Sequence, residues 1–277
     1  MDLAAEIERN VSAALAEDIG SGDLTARLTA PQVGASAAVL CREPAILCGR
    51  PWFDACFRHI DSRVRVEWAL AEGAAAPAGT TLCTLTGPAR ALLTGERTAL
   101  NFLQLLSAVA TVTRRYVDTI AGTRAAIVDT RKTLPGLRLA QKYAVRTGGG
   151  VNHRLGLYDG ILIKENHIAA AGGVRPALQA AQRIAPPGIW VQIEVENLVQ
   201  LGTALEAGAR MILLDNMDTA TLRRAVDLTA RRAELEASGG ITLENVRAVA
   251  ETGVDRISIG SLTKDVRAAD LSMRFSA

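Results

Sequence analysis

The chain contains 277 residues, of which 49% are hydrophobic and 22% charged, and its formal net charge is +2. This length can form one large domain or two ordinary ones, and the balanced charge with only 4% aromatic residues argues against a nucleic-acid-binding surface. No apolar run reaches the roughly 18 residues of a membrane span, and the acidic start differs from a secretory signal, so the sequence predicts a soluble, cytoplasmic protein with no membrane partner.

The first third of the chain predicts a small mixed domain. Leu3, Ile7, Val11 and Leu15 recur at intervals of four, which is the spacing of an amphipathic helix. Short β-like runs and turn residues follow up to residue 87, and apolar residues then return to helical spacing, as one long helix or two abutting ones. The predicted segments in chain order are residues 3–16, 37–41, 64–68, 81–85 and 89–121.

Beyond residue 125, short apolar runs alternate with helical stretches. Between the last four runs the polar residues Glu194, Asp215, Glu236 and Ser258 stand 21, 21 and 22 positions apart. A repeated strand-then-helix unit of that size builds a parallel barrel or a doubly wound sheet. The predicted strands are residues 125–129, 160–164, 190–196, 211–215, 233–236 and 256–260.

The alternation of residues inside these strands favours a barrel. In residues 192–196 the polar side chains share one face, and Glu234, Glu236 and Ser238 repeat that pattern, so polar groups are expected to point into the barrel centre. Six strand-helix units are fewer than the eight of a closed barrel. The sequence therefore predicts an α/β fold with an incomplete parallel (β/α) barrel.

Residues 129–167 carry seven basic side chains around two of the short strands. The first strand runs into Asp129-Thr130-Arg131-Lys132, and the second runs into Lys164-Glu165-Asn166-His167. Strand carboxyl ends are where α/β sheets and barrels place their chemistry. This stretch therefore predicts a site for a strongly anionic ligand.

Two small-residue loops end the last two strands. Ser238-Gly239-Gly240 and Gly260-Ser261 are each followed by a candidate helix start, where backbone N–H groups and the helix dipole favour an anion. Such loops on consecutive terminal strands are typical of a phosphate pocket. Either loop alone is weak evidence, because glycine at such a position more often forms a tight turn.

Seven motifs together resemble the quinolinate phosphoribosyltransferase family, also called nicotinate-nucleotide pyrophosphorylase (carboxylating), over nearly the whole chain. They are DTRKTLPG at 129–136, GGG at 148–150, NHR at 152–154, LIKENH at 162–167, EVE at 194–196, LDN at 214–216 and SG at 238–239. The resemblance implies a pentosyltransferase that joins quinolinate to the ribose of phosphoribosyl pyrophosphate, releasing pyrophosphate and carbon dioxide and giving nicotinate mononucleotide for NAD synthesis.

The resemblance also implies a domain division. Residues 1–110 would form an N-terminal α+β sandwich domain, joined by the C-terminal tail 266–277, and residues 111–265 would form the barrel that carries catalysis. The enzyme would act as a homodimer, or a higher oligomer, because Arg97 would reach the active site from the neighbouring subunit. From the residues alone, Arg97 is a surface helix charge.

Quinolinate carries two adjacent carboxylates, which guanidinium groups bind in a planar, bidentate way, so Arg131 and Arg154 are the predicted clamps. By resemblance, His153 and Lys164 join that pocket, and Lys132 with Lys164 offsets charge on the pyrophosphate and the reacting carboxylate. The predicted catalytic residues are Lys132, Lys164, Glu194 and Asp215. The predicted substrate-binding residues are Arg97, Thr130, Arg131, Lys132, His153, Arg154, Lys164, Glu194, Asp215, Ser238, Gly239, Gly240, Gly260, Ser261 and Leu262.

Glu194 and Asp215 would hold the ribose hydroxyls and a magnesium ion that carries the pyrophosphate, since hard oxygen ligands suit that cation. No organic cofactor is required. Taken singly, each carboxylate could equally form a barrel-core ion pair with a lysine. Of the histidines, His153 is interpreted as a ligand contact and His167 as part of a helix start.

Three rival functions stay open on the sequence. An aldolase could use Lys164 as a Schiff-base amine, although that mechanism needs a desolvated lysine. A relative that acts on nicotinate or another monocarboxylate would share the phosphate half of the site but need fewer guanidinium groups. A non-catalytic binding protein would be expected to lack Glu194, Asp215 or Lys132, and all three are present.

Overall fold

The computed structural model describes residues 2–276, which divide into two compact units. The first unit contains Met1–Arg114, Thr133–Gly149 and Leu262–Ala277, and the second contains Arg115–Lys132 and Gly150–Ser261. The predicted division at residues 111 and 266 stays a prediction. Within the described residues, no helix is both long and apolar enough to cross a membrane.

The first unit combines helices with an antiparallel sheet. Its helices are α1 (Leu3–Ile19), α2 (Arg50–Ile60), α3 (Ala89–Thr119, which runs on into the second unit) and α4 (Arg138–Thr147). Its strands are β1 (Gly34–Cys41), β2 (Ala45–Ile46), β3 (Arg65–Trp68), β4 (Ala75–Ala76), β5 (Thr81–Pro88) and the last strand of the chain, β12 (Leu271–Phe275). Four strands form one sheet in the order β12-β1-β5-β3, and β2 pairs with β4.

Helix α2 is a feature that the sequence reading missed. Pro51 occupies its first turn, where the missing N–H costs nothing, and Glu72 accepts hydrogen bonds from the backbone N–H groups of Gly49 and Arg50 at 2.7 and 3.2 Å. The helix buries its aromatic side chains, which makes it a core element of the first unit. The capping carboxylate lies more than twenty residues downstream, so of these two features only Pro51 is a local signal of the helix start.

The second unit alternates strands and helices. Its strands are β6 (Ala126–Val128), β7 (Ile161–Ile163), β8 (Val191–Val195), β9 (Met211–Asp215), β10 (Glu234–Ser238) and β11 (Arg256–Ser258). Its helices are α5 (Glu165–Ala170), α6 (Val174–Ile184), α7 (Leu198–Glu206), α8 (Thr219–Thr229) and α9 (Val246–Ala250), and the short α10 (Ser261–Lys264) begins at its end.

The six strands form one parallel sheet in the order β6-β11-β10-β9-β8-β7, with no ladder between β6 and β7. A single parallel bridge joins Val128 to Val151 beside β6. The barrel is therefore open, as the sequence predicted. Ile193 and Val195 alternate with the inward polar residues of β8 and are fully buried, so the helix-facing side carries the apolar core.

The register corrects one detail of the sequence repeat. Strand β10 begins at Glu234 and ends at Ser238, two residues beyond the predicted end, so Ser238 and not Glu236 lies opposite Asp215. The preceding turn contains Ala230 and Arg231, both with positive φ, of 47° and 62°. Glu236 therefore lies one layer deeper in the barrel than the spacing indicated.

Candidate active site

The carboxyl ends of the six strands bring the predicted residues of the second unit to one edge of the sheet. Parallel strands all end at the same edge, so neighbours in the sheet present neighbouring ends. In sheet order these ends carry Thr130 to Lys132 after β6, Gly260 and Ser261 after β11, Ser238 to Gly240 on β10, Asp215 on β9, Glu194 on β8 and Lys164 after β7.

An acidic pair with a lysine occupies the middle of this edge. Lys164 Nζ lies 3.9 Å from Glu194 Oε2, and the Glu194 side chain is largely buried whereas Lys164 is about half exposed. Burial raises the pKa of Glu194, the positive charge of Lys164 lowers it, and the negative charges of Asp215 and Glu165 raise it further. Two carboxylates and an ammonium group therefore share one electrostatic environment.

The first glycine loop is tied to Asp215 through Asn216. Asn216 adopts a positive φ of 52°. Its backbone N–H donates to the Ser238 carbonyl at 2.9 Å, and its Nδ2 donates to Asp215 Oδ2 at 2.8 Å. Gly239 has a φ of +98°, and a Cβ there would collide with the Asn216 side chain, lying 2.6 Å from Cγ. Only glycine fits at this position.

The second glycine loop lies against Lys132. A Cβ on Gly260 would come within 3.1 Å of Lys132 Cδ, 3.7 Å of Thr130 Oγ1 and 3.9 Å of Lys132 Nζ. Thr130 Oγ1 also accepts the backbone N–H of Lys132 at 3.0 Å. An ammonium group, a hydroxyl and an open glycine backbone thus converge where β6 and β11 end, next to the β10 loop.

Two guanidinium groups form the cationic part of the site. Burial lowers the pKa of Arg154, and the positive charge of nearby Arg131 lowers it further, while Asp159 opposes both. Arg154 donates from Nη1 to the Gly160 carbonyl at 3.1 Å, and Arg131 Nε is buried without a hydrogen-bond partner. Two positive charges that repel each other, with an unsatisfied donor on one of them, are suited to an anion of two negative charges.

The two histidines of the motifs behave differently from each other. His167 Nδ1 accepts the N–H of Lys164 at 3.0 Å and so closes the start of α5, as interpreted from the sequence. His153 is buried, with Nδ1 accepting the Arg154 N–H at 2.8 Å and Nε2 2.9 Å from Gln192 Oε1. Both ring nitrogens of His153 therefore already contact protein groups.

Two predicted residues belong to the first unit. Leu262 is fully buried, so its side chain is not available to a ligand. Arg97 is exposed on α3, four residues from the exposed Leu93. The basic residues of α4 also belong to the first unit, so the seven basic side chains of residues 129–167 do not form one cluster within a single unit.

The residues at the edge suit some of the rival chemistries better than others. Lys164 is half exposed and beside a carboxylate, which is the opposite of the desolvated lysine that a Schiff base needs. No group of three or more His, Cys, Asp or Glu side chains that could hold a metal occurs among residues 2–276. The pair Glu194 and Asp215 instead fits Mg²⁺, which keeps several waters and binds through one or two carboxylates and substrate phosphates.

The sequence did not indicate how the buried polar residues beneath the edge contact one another. Asp129 accepts the His153 N–H at 2.8 Å and the Asn152 Nδ2 at 2.6 Å, and Gln192 and Glu236 lie in the barrel interior. The inward alternation of polar residues in β8 and β10 was the available signal. It indicated that they point into the barrel, but no spacing rule shows that they contact His153.

Comparison with known proteins covers both units. The family model described as the quinolinate phosphoribosyl transferase N-terminal domain matches residues 23–107, and the C-terminal domain model matches residues 109–274. The chain is 43% identical over 257 residues to the probable nicotinate-nucleotide pyrophosphorylase [carboxylating] of Bacillus subtilis, covering 93% of this chain and 89% of that protein. It is 44% identical over 270 residues to the nicotinate-nucleotide pyrophosphorylase [carboxylating] of Mycobacterium leprae, covering 94% of each.

A solved structure gives the same result for the fold. The nicotinate-nucleotide pyrophosphorylase of Francisella tularensis superimposes with a TM-score of 0.95 at 42% identity, covering 98% of this chain and 96% of that chain. The match includes both the antiparallel and the parallel sheet, because nearly the full length of each chain is covered.

Proposed function

The chain belongs to the quinolinate phosphoribosyltransferase family, and on this premise we propose how its residues carry out the family reaction. It is a decarboxylating pentosyltransferase that transfers the 5-phosphoribosyl group from phosphoribosyl pyrophosphate to quinolinate, giving nicotinate mononucleotide, pyrophosphate and carbon dioxide in NAD biosynthesis. The observation that carries the proposed site is that Arg131 and two glycine loops follow strand ends of one unit, and that the charge of Arg131 acts on Arg154 in the same unit.

We propose that Arg131 and Arg154 bind the two adjacent carboxylates of quinolinate. The mutual repulsion of these guanidinium groups is relieved by a dianion, and the buried Arg131 Nε gains the partner that it lacks. Lys164 would lie beside the carboxylate that is lost. A monocarboxylate such as nicotinate would leave one guanidinium group uncompensated, so the pair favours quinolinate.

The phosphoribosyl half of the substrate would lie along the neighbouring strands. Glu194 and Asp215 would hold the ribose hydroxyls and a Mg²⁺ ion, which when bound stabilises the negative charge of the leaving pyrophosphate. Lys132 would offset charge on the same group, since its ammonium lies beside Gly260. Backbone N–H groups of the two glycine loops would receive the 5′-phosphate, with the loops formed by Ser238, Gly239, Gly240, Gly260 and Ser261.

The reaction asks the protein mainly for positioning and electrostatics. The bond between the anomeric carbon and pyrophosphate breaks, positive charge develops at that carbon, and the pyridine nitrogen forms the new bond. The carboxylates of Glu194 and Asp215 would stabilise that charge. The carboxylate beside the quaternised nitrogen then leaves as carbon dioxide, its bonding pair stays on the ring carbon, and a proton from solvent replaces it.

A direct assay tests the function. The purified protein is incubated with phosphoribosyl pyrophosphate, Mg²⁺ and quinolinate labelled in the carboxylate beside the ring nitrogen, and released carbon dioxide is counted, with nicotinate run in parallel. We expect release from quinolinate, together with pyrophosphate in equal amount, and no nucleotide from nicotinate. Turnover of nicotinate but not quinolinate would move the assignment to a monocarboxylate-specific relative.

We also propose that the active site is completed in a homodimer by Arg97. Leu93 on α3 is exposed, and Leu24 and Leu28 are 73% and 87% exposed in the preceding segment, which is held to α3 by a hydrogen bond from Thr94 Oγ1 to Asp23. Exposed leucines grouped beside an exposed arginine are typical of a protein interface.

A complementation experiment tests the shared site. Arg97→Ala and Lys132→Ala variants are each expected to be inactive, and mixing them should restore partial activity because some hybrid dimers contain one intact site. Subunit exchange is verified separately with differently tagged chains. An exchanged mixture that stays inactive would show that Arg97 does not act across subunits.

A further inference from the structure

A line of buried polar side chains runs through the barrel interior to His153. Gln192 Nε2 lies 3.1 Å from Glu236 Oε2, and Gln192 Oε1 lies 2.9 Å from His153 Nε2. Arg256 Nε lies 3.2 Å from the same Glu236 oxygen, and Gln192 and Glu236 are each only 1% exposed. We call His153, Gln192, Glu236 and Arg256 the relay.

The hydrogen bonds of the relay are consistent with one arrangement of protons. The Glu236 carboxylate beside Arg256 accepts only, so the Gln192 amide must donate to it and present its oxygen to His153. His153 then carries its proton on Nε2, and Nδ1 accepts the Arg154 N–H. The ring is therefore neutral and fixed at both nitrogens.

The relay contacts the backbone of Arg154, which the proposed function assigns to quinolinate binding. Arg154 is held by its N–H on His153 and by its side chain on the Gly160 carbonyl. The edge of Trp190 packs against the His153 ring at a centroid distance of 5.1 Å, which further restricts its rotation. The relay borders a cavity of about 460 Å³ whose lining includes His153, Arg154, Glu234 and Arg256.

We infer that His153, Gln192 and Glu236 are positioning residues that fix Arg154 opposite Arg131 and thereby set the preference for a vicinal dicarboxylate. This inference rests on the proposed function. His153 would act through the Arg154 backbone. Because a guanidinium pair binds two carboxylates only at the right separation, loosening Arg154 weakens binding of the dianion and leaves the phosphoribosyl half unaffected.

The first test replaces Gln192 with a side chain of similar volume and no hydrogen bonds. We expect Gln192→Met to raise the KM for quinolinate about tenfold, with the KM for phosphoribosyl pyrophosphate unchanged and kcat within about twofold. Thr252→Val is the matched control, since it removes a buried hydroxyl of the same unit that bonds to the Val249 carbonyl at 2.7 Å, away from the relay. Circular dichroism and thermal melting compare the folds.

The second test separates the two ring nitrogens of His153. His153→Asn keeps an oxygen near the Nδ1 position, and His153→Gln keeps a polar group near Nε2. We expect the quinolinate KM to rise several-fold more in His153→Gln than in His153→Asn. The reverse order would show that the contact between His153 Nδ1 and the Arg154 N–H does not control quinolinate binding, and would overturn the inference.

A spectroscopic measurement distinguishes this positioning role from a purely structural one. In protein labelled with ¹⁵N-histidine, which has only three histidines to assign, His153 should show the Nε2-protonated tautomer, and Gln192→Met should convert it to an averaged state. An unchanged tautomer and an unchanged quinolinate KM in a folded Gln192→Met variant would overturn the inference while leaving the proposed function intact. Failure of the unmodified protein to convert quinolinate would instead remove the function on which the inference rests.

Discussion

We expect Gly239→Ala to weaken the binding of phosphoribosyl pyrophosphate in addition to lowering the free energy of unfolding. Alanine at a φ of +98° costs about 1–3 kcal/mol in backbone strain. Its Cβ also collides with Asn216, whose displacement would break the 2.8 Å hydrogen bond to Asp215, worth about 1 kcal/mol at a partly exposed site. The free energy of unfolding should therefore fall by roughly 2–4 kcal/mol.

The matched control is Gly208→Ala, at the end of α7 in the same unit. Gly208 has a similar φ of +84° but open space around its Cβ position, so this substitution adds strain of about 1–2 kcal/mol without a collision. In urea titrations Gly239→Ala should lose more stability than Gly208→Ala. In steady-state assays only Gly239→Ala should raise the KM for phosphoribosyl pyrophosphate, by about tenfold, because about 1.4 kcal/mol of binding energy corresponds to a factor of ten. Equal stability losses with an unchanged KM in both variants would refute this reasoning.

Three further predictions follow from the same contacts. In Lys164→Met, the acid limb of the residual activity should lie at higher pH, because the variant lacks the positive charge that lowers the pKa of Glu194. The pH–rate profile of this variant is compared with that of Lys264→Met, which changes a lysine outside the site. Gly148→Ala should cost about 2 kcal/mol or more of unfolding free energy, since a Cβ there would lie 2.8 Å from Thr113 Cβ on α3; a melting temperature close to that of the unmodified protein would contradict the packing. Removing Mg²⁺ with a chelator should lower turnover at least about a hundredfold while leaving quinolinate binding by calorimetry unchanged.

The parallel sheet was predictable because its signals are local. Each strand is a short apolar run that ends in a polar residue, and β9 occupies the predicted residues, Met211–Asp215. Helices α2 and α4 were not predicted. In α2 the apolar residues 52, 53, 56 and 57 do have helical spacing, but the surrounding segment has β-like runs that dominated the interpretation. Residues 138–147 were interpreted only as a charged binding segment, although they form a helix that buries Lys142.

The residue types of the site were predictable from motifs, but their connections were not. The sequence marks Glu194, Asp215 and the glycine loops by position after strands. It does not show that Asn216 adopts a left-handed conformation and occupies the space beside Gly239, or that the His153 ring is engaged on both sides. Such contacts depend on register between strands, and register was two residues from the predicted alignment in β10.

The most direct measurement is a crystal structure with quinolinate and a non-reactive analogue of phosphoribosyl pyrophosphate. The two carboxylates of quinolinate should lie about 3 Å from the guanidinium groups of Arg131 and Arg154, with the 5′-phosphate on the loop of Gly239. Quinolinate bound in another place, such as the cavity of about 710 Å³ at the amino-terminal ends of the strands, beside Arg124 and Arg231, with the carboxyl-terminal edge left empty, would contradict the proposed site.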